Sequence, residues 1–113
     1  MIYQIEISSV AEAEIDQIFL NLAQVFSQEQ AGLWYAGLLL TIESLSQMPR
    51  RCALARENDD FSQEIRQLLY GEGRYPYRIL YAVLDDGKSS IVRILHVRHS
   101  AQSRIGQITE DPN

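Results

Sequence analysis

Two signals for the start of a helix stand close together in the first half of the chain. They are Ser9-Val10-Ala11-Glu12 and Ser27-Gln28-Glu29-Gln30, and both match the capping-box pattern that satisfies the first backbone amides of a helix. Apolar residues recur at helical spacing after each signal, to about Phe26 in the first helix and up to Pro49 in the second. Because the joint is only about one or two residues long, the two helices must fold back as an antiparallel hairpin.

The remaining patterns are those of β-strands. Alternation of apolar and polar residues predicts strands in four segments: 2–7, 64–70, 77–84 and 90–99. The segment 50–62 has no period and predicts a loop. This order, β-α-α-β-β-β, predicts an α+β fold in which the helical hairpin packs on one face of a mostly antiparallel sheet. We expect a single domain over residues 1–104 and a flexible tail over residues 105–113.

The pair Asp86-Gly87 is typical of a two-residue β-hairpin turn, which would place Asp85 opposite Lys88. Side chains directly opposite each other share a face of the sheet, so this register predicts the content of both faces. The predicted core face carries Tyr77, Ile79, Tyr81, Val83, Val92, Ile94 and His96. The other face carries Arg78, Leu80, Ala82, Arg93, Leu95, Val97 and His99, and it is the candidate site. A longer turn or a bulge would change this assignment.

The charges are unevenly distributed along the chain. All ten Lys and Arg residues lie between Arg50 and Arg104, whereas the first forty-nine residues hold six carboxylates and no cation. The net charge of −5 argues against non-specific binding of nucleic acid by the whole surface. Cys52 is the only cysteine and no signal-peptide pattern follows Met1, so we expect a cytoplasmic protein. The longest apolar run, 31–42, is too short to span a membrane.

No sequence motif predicts a metal or a cofactor. The chain has no CxxC pair, no HExxH and no EF-hand loop. His96 and His99 would point to opposite faces of a strand, which disfavours a shared metal. We therefore expect neither a metal nor a cofactor, and we interpret His96 as a hydrogen-bonded structural residue.

The predicted strand, the long helical hairpin and four segments of the chain resemble the RelE/ParE superfamily of toxins from type II toxin–antitoxin systems. In chain order the segments are Leu45-Ser46-Gln47-Met48-Pro49-Arg50-Arg51-Cys52 at the end of the hairpin, Glu64-Ile65-Arg66-Gln67-Leu68-Leu69-Tyr70-Gly71, Tyr77-Arg78-Ile79-Leu80-Tyr81 and Ile94-Leu95-His96-Val97-Arg98-His99. The resemblance is strongest to the branch known as plasmid stabilisation proteins. It implies a growth-inhibiting toxin, a cognate antitoxin as partner, and either DNA gyrase or mRNA on the ribosome as target.

The resemblance also suggests catalytic residues. Arg78 matches the arginine that contacts the scissile phosphate in RelE-like nucleases, and His99 matches the general acid or base of YoeB-like enzymes. Glu57 or Glu64 would supply a third catalytic group. The tyrosine that follows the histidine in YoeB-like enzymes is Ser100 here, and Lys88 is the only lysine. These departures favour a ParE-like binding toxin; an endoribonuclease and an inactive relic that only binds its antitoxin are the alternatives.

The other candidate residues are surface contacts. We expect four arginines to bind the target or a phosphate group: Arg66, Arg74, Arg93 and Arg98. An apolar patch beside the exposed Arg78 would be covered by an acidic antitoxin segment or by a second copy in a homodimer, because monomers rarely leave such a patch open. The predicted contact residues of this patch are Leu80, Leu95 and Val97.

Overall fold

A computed structural model describes residues 2–71 and 76–100 and has the predicted order of elements. The bounds are β1 Gln4–Ile7, α1 Ser9–Val25, α2 Gln28–Glu43, β2 Arg66–Tyr70, β3 Tyr77–Asp85 and β4 Ser90–His99. Short 3-10 turns interrupt the connection between α2 and β2. None of the helices in the described part of the chain is long and apolar enough to cross a bilayer. The predicted tail and the predicted end of the domain at residue 104 lie outside the described residues.

Serine hydroxyls cap both helices. The hydroxyl of Ser27 accepts a hydrogen bond from the amide of Gln30 at 3.1 Å, as the sequence predicts. The cap of α1 is Ser8 and not the predicted Ser9, since Ser8 Oγ accepts from the Ala11 amide at 3.1 Å. The same hydroxyl donates to the carbonyl of Leu95 at 3.2 Å, so a contact with β4 favours Ser8 over its neighbour.

The four strands of the described residues form one sheet in the order β1-β4-β3-β2, with β1 parallel to β4 and the other neighbours antiparallel. Both helices pack on the same face of this sheet, which confirms the predicted α+β architecture. We call the buried residues between helices and sheet the helix-side core: Tyr3, Ala11, Ile15, Leu38, Ile42, Leu45, Ile79, Tyr81, Val92, Ile94 and Val97.

The turn between β3 and β4 is longer than predicted. Asp85 pairs with Ser90 and not with Lys88, so four residues form the turn. The carboxylate of Asp86 accepts hydrogen bonds from the amides of Lys88 and Ser89 at 2.9 and 2.8 Å, and these bonds stabilise the longer turn. Because the register moves by an even number of residues, the side chains near the turn keep their predicted faces.

At the far end of the hairpin, a β-bulge moves side chains of β4 to the face opposite to the predicted one. Tyr81 pairs with Ile94, but its neighbour Leu80 pairs with His96, so Leu95 is an extra residue on β4. Beyond the bulge Val97 lies opposite Ile79, in the helix-side core, and not on the candidate face. His96 lies opposite Leu80 and therefore not on the predicted core face.

The face of the sheet opposite the helices, the second face, is covered by the chain itself. Residues 53–65, which we call the closing segment, lie across it, with Ala55 and Ile65 buried against Leu80 and Ala82. Three partly buried side chains complete this cluster: Phe61, Leu84 and Leu95. The expectation of an exposed apolar patch on this face is therefore wrong, because the loop predicted from the sequence packs as a cover.

Candidate functional site

Arg78 lies on the second face near the start of β3 and is buried, not exposed as predicted. It lies on β3 beside Leu69 of β2, and only 4% of its surface is accessible. Its Nη1 and Nη2 donate to the two carboxylate oxygens of Glu57 at 2.8 and 2.5 Å. Nε and Nη2 also donate to the side-chain oxygen of Gln67 at 3.0 and 2.9 Å. A guanidinium held in this way cannot reach a phosphate unless these bonds are broken.

Glu57 comes from the closing segment and is completely buried. Burial by itself raises the pKa of this carboxyl group, but the hydrogen bonds and positive charge of Arg78 outweigh that effect and lower the pKa to about 2. Glu57 is therefore ionised at neutral pH and neutralises Arg78. The bidentate pair joins the closing segment to the sheet and leaves no free charge on either partner.

His99 is not on the face that contains Arg78. It pairs with Tyr77 across the hairpin, and the two rings meet edge to face with centroids 5.1 Å apart. Both line a cavity of about 260 Å³ with three residues of α1: Gln17, Ile18 and Asn21. The bulge turns His99 toward α1 while Arg78 points toward the closing segment. The prediction that these two residues share one face is therefore wrong.

The other candidate arginines are spread over the molecule. Arg66 donates to the carbonyl of Cys52 at 2.6 Å and to Glu64 at 2.9 Å. Arg93 is exposed and pairs with Glu6 on β1 at 3.0 Å. These contacts hold neighbouring segments together, and they do not gather the arginines into one phosphate site. Arg74 lies outside the described residues.

Arg98 belongs to a cluster around Glu14 of α1. The Glu14 carboxylate accepts a hydrogen bond from the Val97 amide at 2.9 Å and lies 3.1 Å from His96 Nδ1 and 3.5 Å from Arg98. β1 pairs with β4 only as far as Ile94, so the edge of β4 is open beyond that residue. Glu14 accepts the hydrogen bond of the Val97 amide at this open edge. The same carboxylate lies within hydrogen-bond distance of His96, which is therefore hydrogen-bonded although it lies on the unexpected face.

The predicted contact residues of the second face differ in their access to solvent. Leu80 and Val97 are buried, at 0% and 1% accessible, on opposite faces of the sheet. Leu95 is partly buried under the closing segment. Their role as antitoxin or dimer contacts stays a prediction. It would require the closing segment to move away from Leu80 and Leu95, and the helices to move away from Val97.

The local sequence could not reveal the partners of Arg78. The sequence offers Glu57 as one of two candidates for a third catalytic group, and no pattern in it indicates Gln67. Alternation along β2 places Gln67 on the second face once the register is known, but the register of β2 depends on tertiary contacts. Glu64 is exposed and pairs with Arg66. Among the described residues, no group of three or more His, Cys, Asp or Glu side chains could hold a metal ion.

Comparison with known proteins agrees with this architecture. The family model described as "ParE toxin of type II toxin-antitoxin system, parDE" matches residues 5–104. The chain therefore belongs to the ParE toxin family of type II toxin–antitoxin systems, which confirms the RelE/ParE resemblance.

A solved structure described as "Chromosomal ParDE TA system from P. aeruginosa" has the same fold, with a TM-score of 0.65 and 17% sequence identity. The likeness covers 87% of this chain and 96% of that chain. No curated protein matches the sequence.

Proposed function

We propose that this ParE-family toxin inhibits its target by binding, that the target is DNA gyrase, and that a cognate antitoxin neutralises it in the cytoplasm. The observation that carries the proposal is the state of Arg78. Its guanidinium is buried, is neutralised by Glu57, and lies on the opposite face of the sheet from His99.

Ribosome-dependent cleavage of mRNA needs a cation near the scissile phosphate and an acid or base within reach of the same bond. In this chain the two residues that match those roles are separated by the sheet. A binding toxin needs no such arrangement, because its effect depends on surface contacts. Membership of the ParE family and the fold shared with a ParDE system support an antitoxin as partner.

Two assays on the purified toxin test the proposal. We expect inhibition of supercoiling by gyrase and intact mRNA on translating ribosomes. His99→Ala should leave gyrase inhibition within about threefold of wild type, whereas loss of a catalytic acid or base lowers a rate by about 10²–10⁴. Glu29→Ala, a change at an exposed carboxylate, serves as the control for handling and expression.

The outcome that overturns the proposal is cleavage of mRNA that disappears in His99→Ala. Toxicity without either activity would reject gyrase as the target. A purified toxin that forms no complex with the product of a neighbouring gene would count against the antitoxin.

A further inference from the structure

The two ends of the closing segment meet beside β2. The Ala53 carbonyl accepts a hydrogen bond from the Gln67 amide at 3.1 Å, and the Ala55 amide donates to the Ile65 carbonyl at 2.8 Å. A surface loop of this length whose ends are joined is an Ω-loop, a type of loop that packs against itself. The joined ends form a base from which the rest of the closing segment extends over the sheet.

Hydrogen bonds inside the closing segment hold its shape. The Ile65 amide donates to Asn58 Oδ1 at 2.7 Å, and the Asn58 amide donates to the Ala55 carbonyl at 3.0 Å. The Asp60 amide donates to the Glu57 carbonyl at 2.8 Å. Because none of these bonds involves β3 or β4, all of them can persist when the segment moves away from these strands.

The buried contact between the closing segment and the sheet is small. Ala55, Glu57 and Ile65 are buried, whereas most other residues of the segment are exposed. Ala55 and Ile65 supply apolar contact, and Glu57 supplies the bidentate pair with Arg78. In the described part of the chain, these two partners are the only charged residues that are buried. The pair is therefore the main polar link between the segment and β3.

A buried ion pair costs less to open than to break by substitution. Opening of the closing segment returns both charges to water, and the hydration that they regain offsets much of the attraction that is lost. The helix-side core has no such compensation, because its apolar side chains lose free energy on exposure to water. Opening of the closing segment alone therefore costs less free energy than unfolding of the whole chain.

We propose that the closing segment opens and closes as a unit over the second face while the helix-side core stays folded, and that the Glu57–Arg78 pair holds it closed. Opening exposes Leu80 and Leu95, so two of the predicted contact residues become accessible without unfolding of the chain. Arg78 stays on the opposite face of the sheet from His99 in the open state, which leaves the proposed function unchanged.

Chemical labelling of single cysteines tests this inference. Ala82 is buried under the closing segment, and Val92 is buried in the helix-side core at a neighbouring position of the β3–β4 ladder. Ala82→Cys and Val92→Cys are each made together with Cys52→Ser, and the single thiol is labelled with a disulfide reagent at neutral pH. Each rate is divided by the rate of the same variant in the unfolded state, and circular dichroism checks that the fold is retained.

We expect the thiol at position 82 to react about 100-fold or more faster than the thiol at position 92. In urea below the unfolding transition, the rate at position 82 should change little, because opening of the segment exposes little surface. The rate at position 92 should rise steeply, because that thiol reacts only after unfolding of the chain.

Two further substitutions measure the part played by the ion pair. Adding Glu57→Gln to Ala82→Cys should speed labelling by about tenfold or more, because the closed state loses its charged contact while the open state does not. Asp59→Asn, a change at an exposed carboxylate of the same segment, should leave the rate unchanged.

Hydrogen exchange of the unmodified chain gives a second measurement that needs no cysteine variant. The Arg78 Nε proton is hydrogen-bonded to the side-chain oxygen of Gln67 at 3.0 Å under the closing segment. Relative to its rate in the unfolded chain, this proton should exchange faster than the amides of the β3–β4 ladder.

Equal labelling rates with equal urea dependence at positions 82 and 92 would overturn the inference, because the two faces would then open only together. Exchange of the Arg78 proton no faster than that of the ladder amides would also overturn it. An unchanged rate of Ala82→Cys in the presence of Glu57→Gln would overturn the role of the pair. Neither measurement involves gyrase or an antitoxin, so the result is separate from the outcome of the tests of the proposed function.

Discussion

The two faces of the sheet are closed in different ways. On one face, α1 and α2 bury an apolar core whose members carry no formal charge at neutral pH. On the second face, thirteen residues with little regular structure cover a smaller apolar cluster and bury the Arg78–Glu57 pair beside it. Helices can bury a broad apolar stripe and need only shape complementarity. A short segment buries less area, so its position depends more on specific polar bonds.

The largest loss of stability should follow from replacing Arg78, because the change leaves Glu57 buried without its partner. We expect Arg78→Ala to lower the free energy of unfolding by about 3–5 kcal/mol, measured by urea denaturation at neutral pH. Replacing both partners with apolar residues, as in Glu57→Leu/Arg78→Met, should recover most of this loss. A loss below about 1 kcal/mol in Arg78→Ala would show that the second face does not depend on the pair.

The contribution of the second face to stability should also be the one that falls at acidic pH. The pKa of Glu57 is lowered from 4.5 to about 2, so its stabilising contribution is complete above the higher value and is lost as pH falls toward the lower one. At most about 3 kcal/mol can be lost over that interval. In urea unfolding between pH 6 and pH 2.5, stability should decline less in Glu57→Gln than in wild type. Parallel declines in the two proteins would contradict this assignment; Glu29→Gln is the control.

On the helix side, two glycines of α2 allow a matched pair of substitutions by alanine. A Cβ atom at Gly37 would collide with the hydroxyl of Tyr70, which donates to the carbonyl of Trp34 at 2.8 Å. Gly37→Ala should therefore destabilise the protein by about 1 kcal/mol despite the higher helix propensity of alanine. Gly32→Ala meets open space and should stabilise the protein by up to about 1 kcal/mol. Thermal unfolding of both variants measures the difference, and equal shifts would show that Tyr70 moves freely.

The smallest effect is expected at Arg93, an exposed arginine of β4. Its pair with Glu6 is open to solvent, with both side chains more than 40% accessible. We expect Arg93→Ala to change the free energy of unfolding by less than about 1 kcal/mol, with the difference vanishing in high salt. A loss comparable to that of Arg78→Ala would mean that burial does not separate the two arginines.

The sequence predicts the helix side of the molecule well. The Ser27 cap, the stripes of α1 and α2 and the β-rich segments are local patterns, and they predict the order of elements and the hairpin. The prediction of the candidate site was wrong because a single inserted residue changes the register of the strands. Leu95 forms a bulge that no local sequence pattern predicts. Beyond the bulge, each side chain of β4 lies on the face opposite to the predicted one. The partnership of Arg78 with Glu57 depends on residues twenty-one positions apart and on a segment without periodicity.

The position of β4 has a consequence for the synthesis of the chain. β4 lies between β1 and β3 in the sheet, and its pairing with β1 joins Gln4 to Ile91. The helical hairpin leaves the ribosome before β4, which is the last of the described strands to be made and lies at the centre of the hairpin's packing surface. The helix-side core cannot be completed during most of translation, and folding has to wait for contacts between β1 and β4, which are far apart in the sequence and slow to form. The nascent toxin therefore cannot complete this core until β4 has emerged.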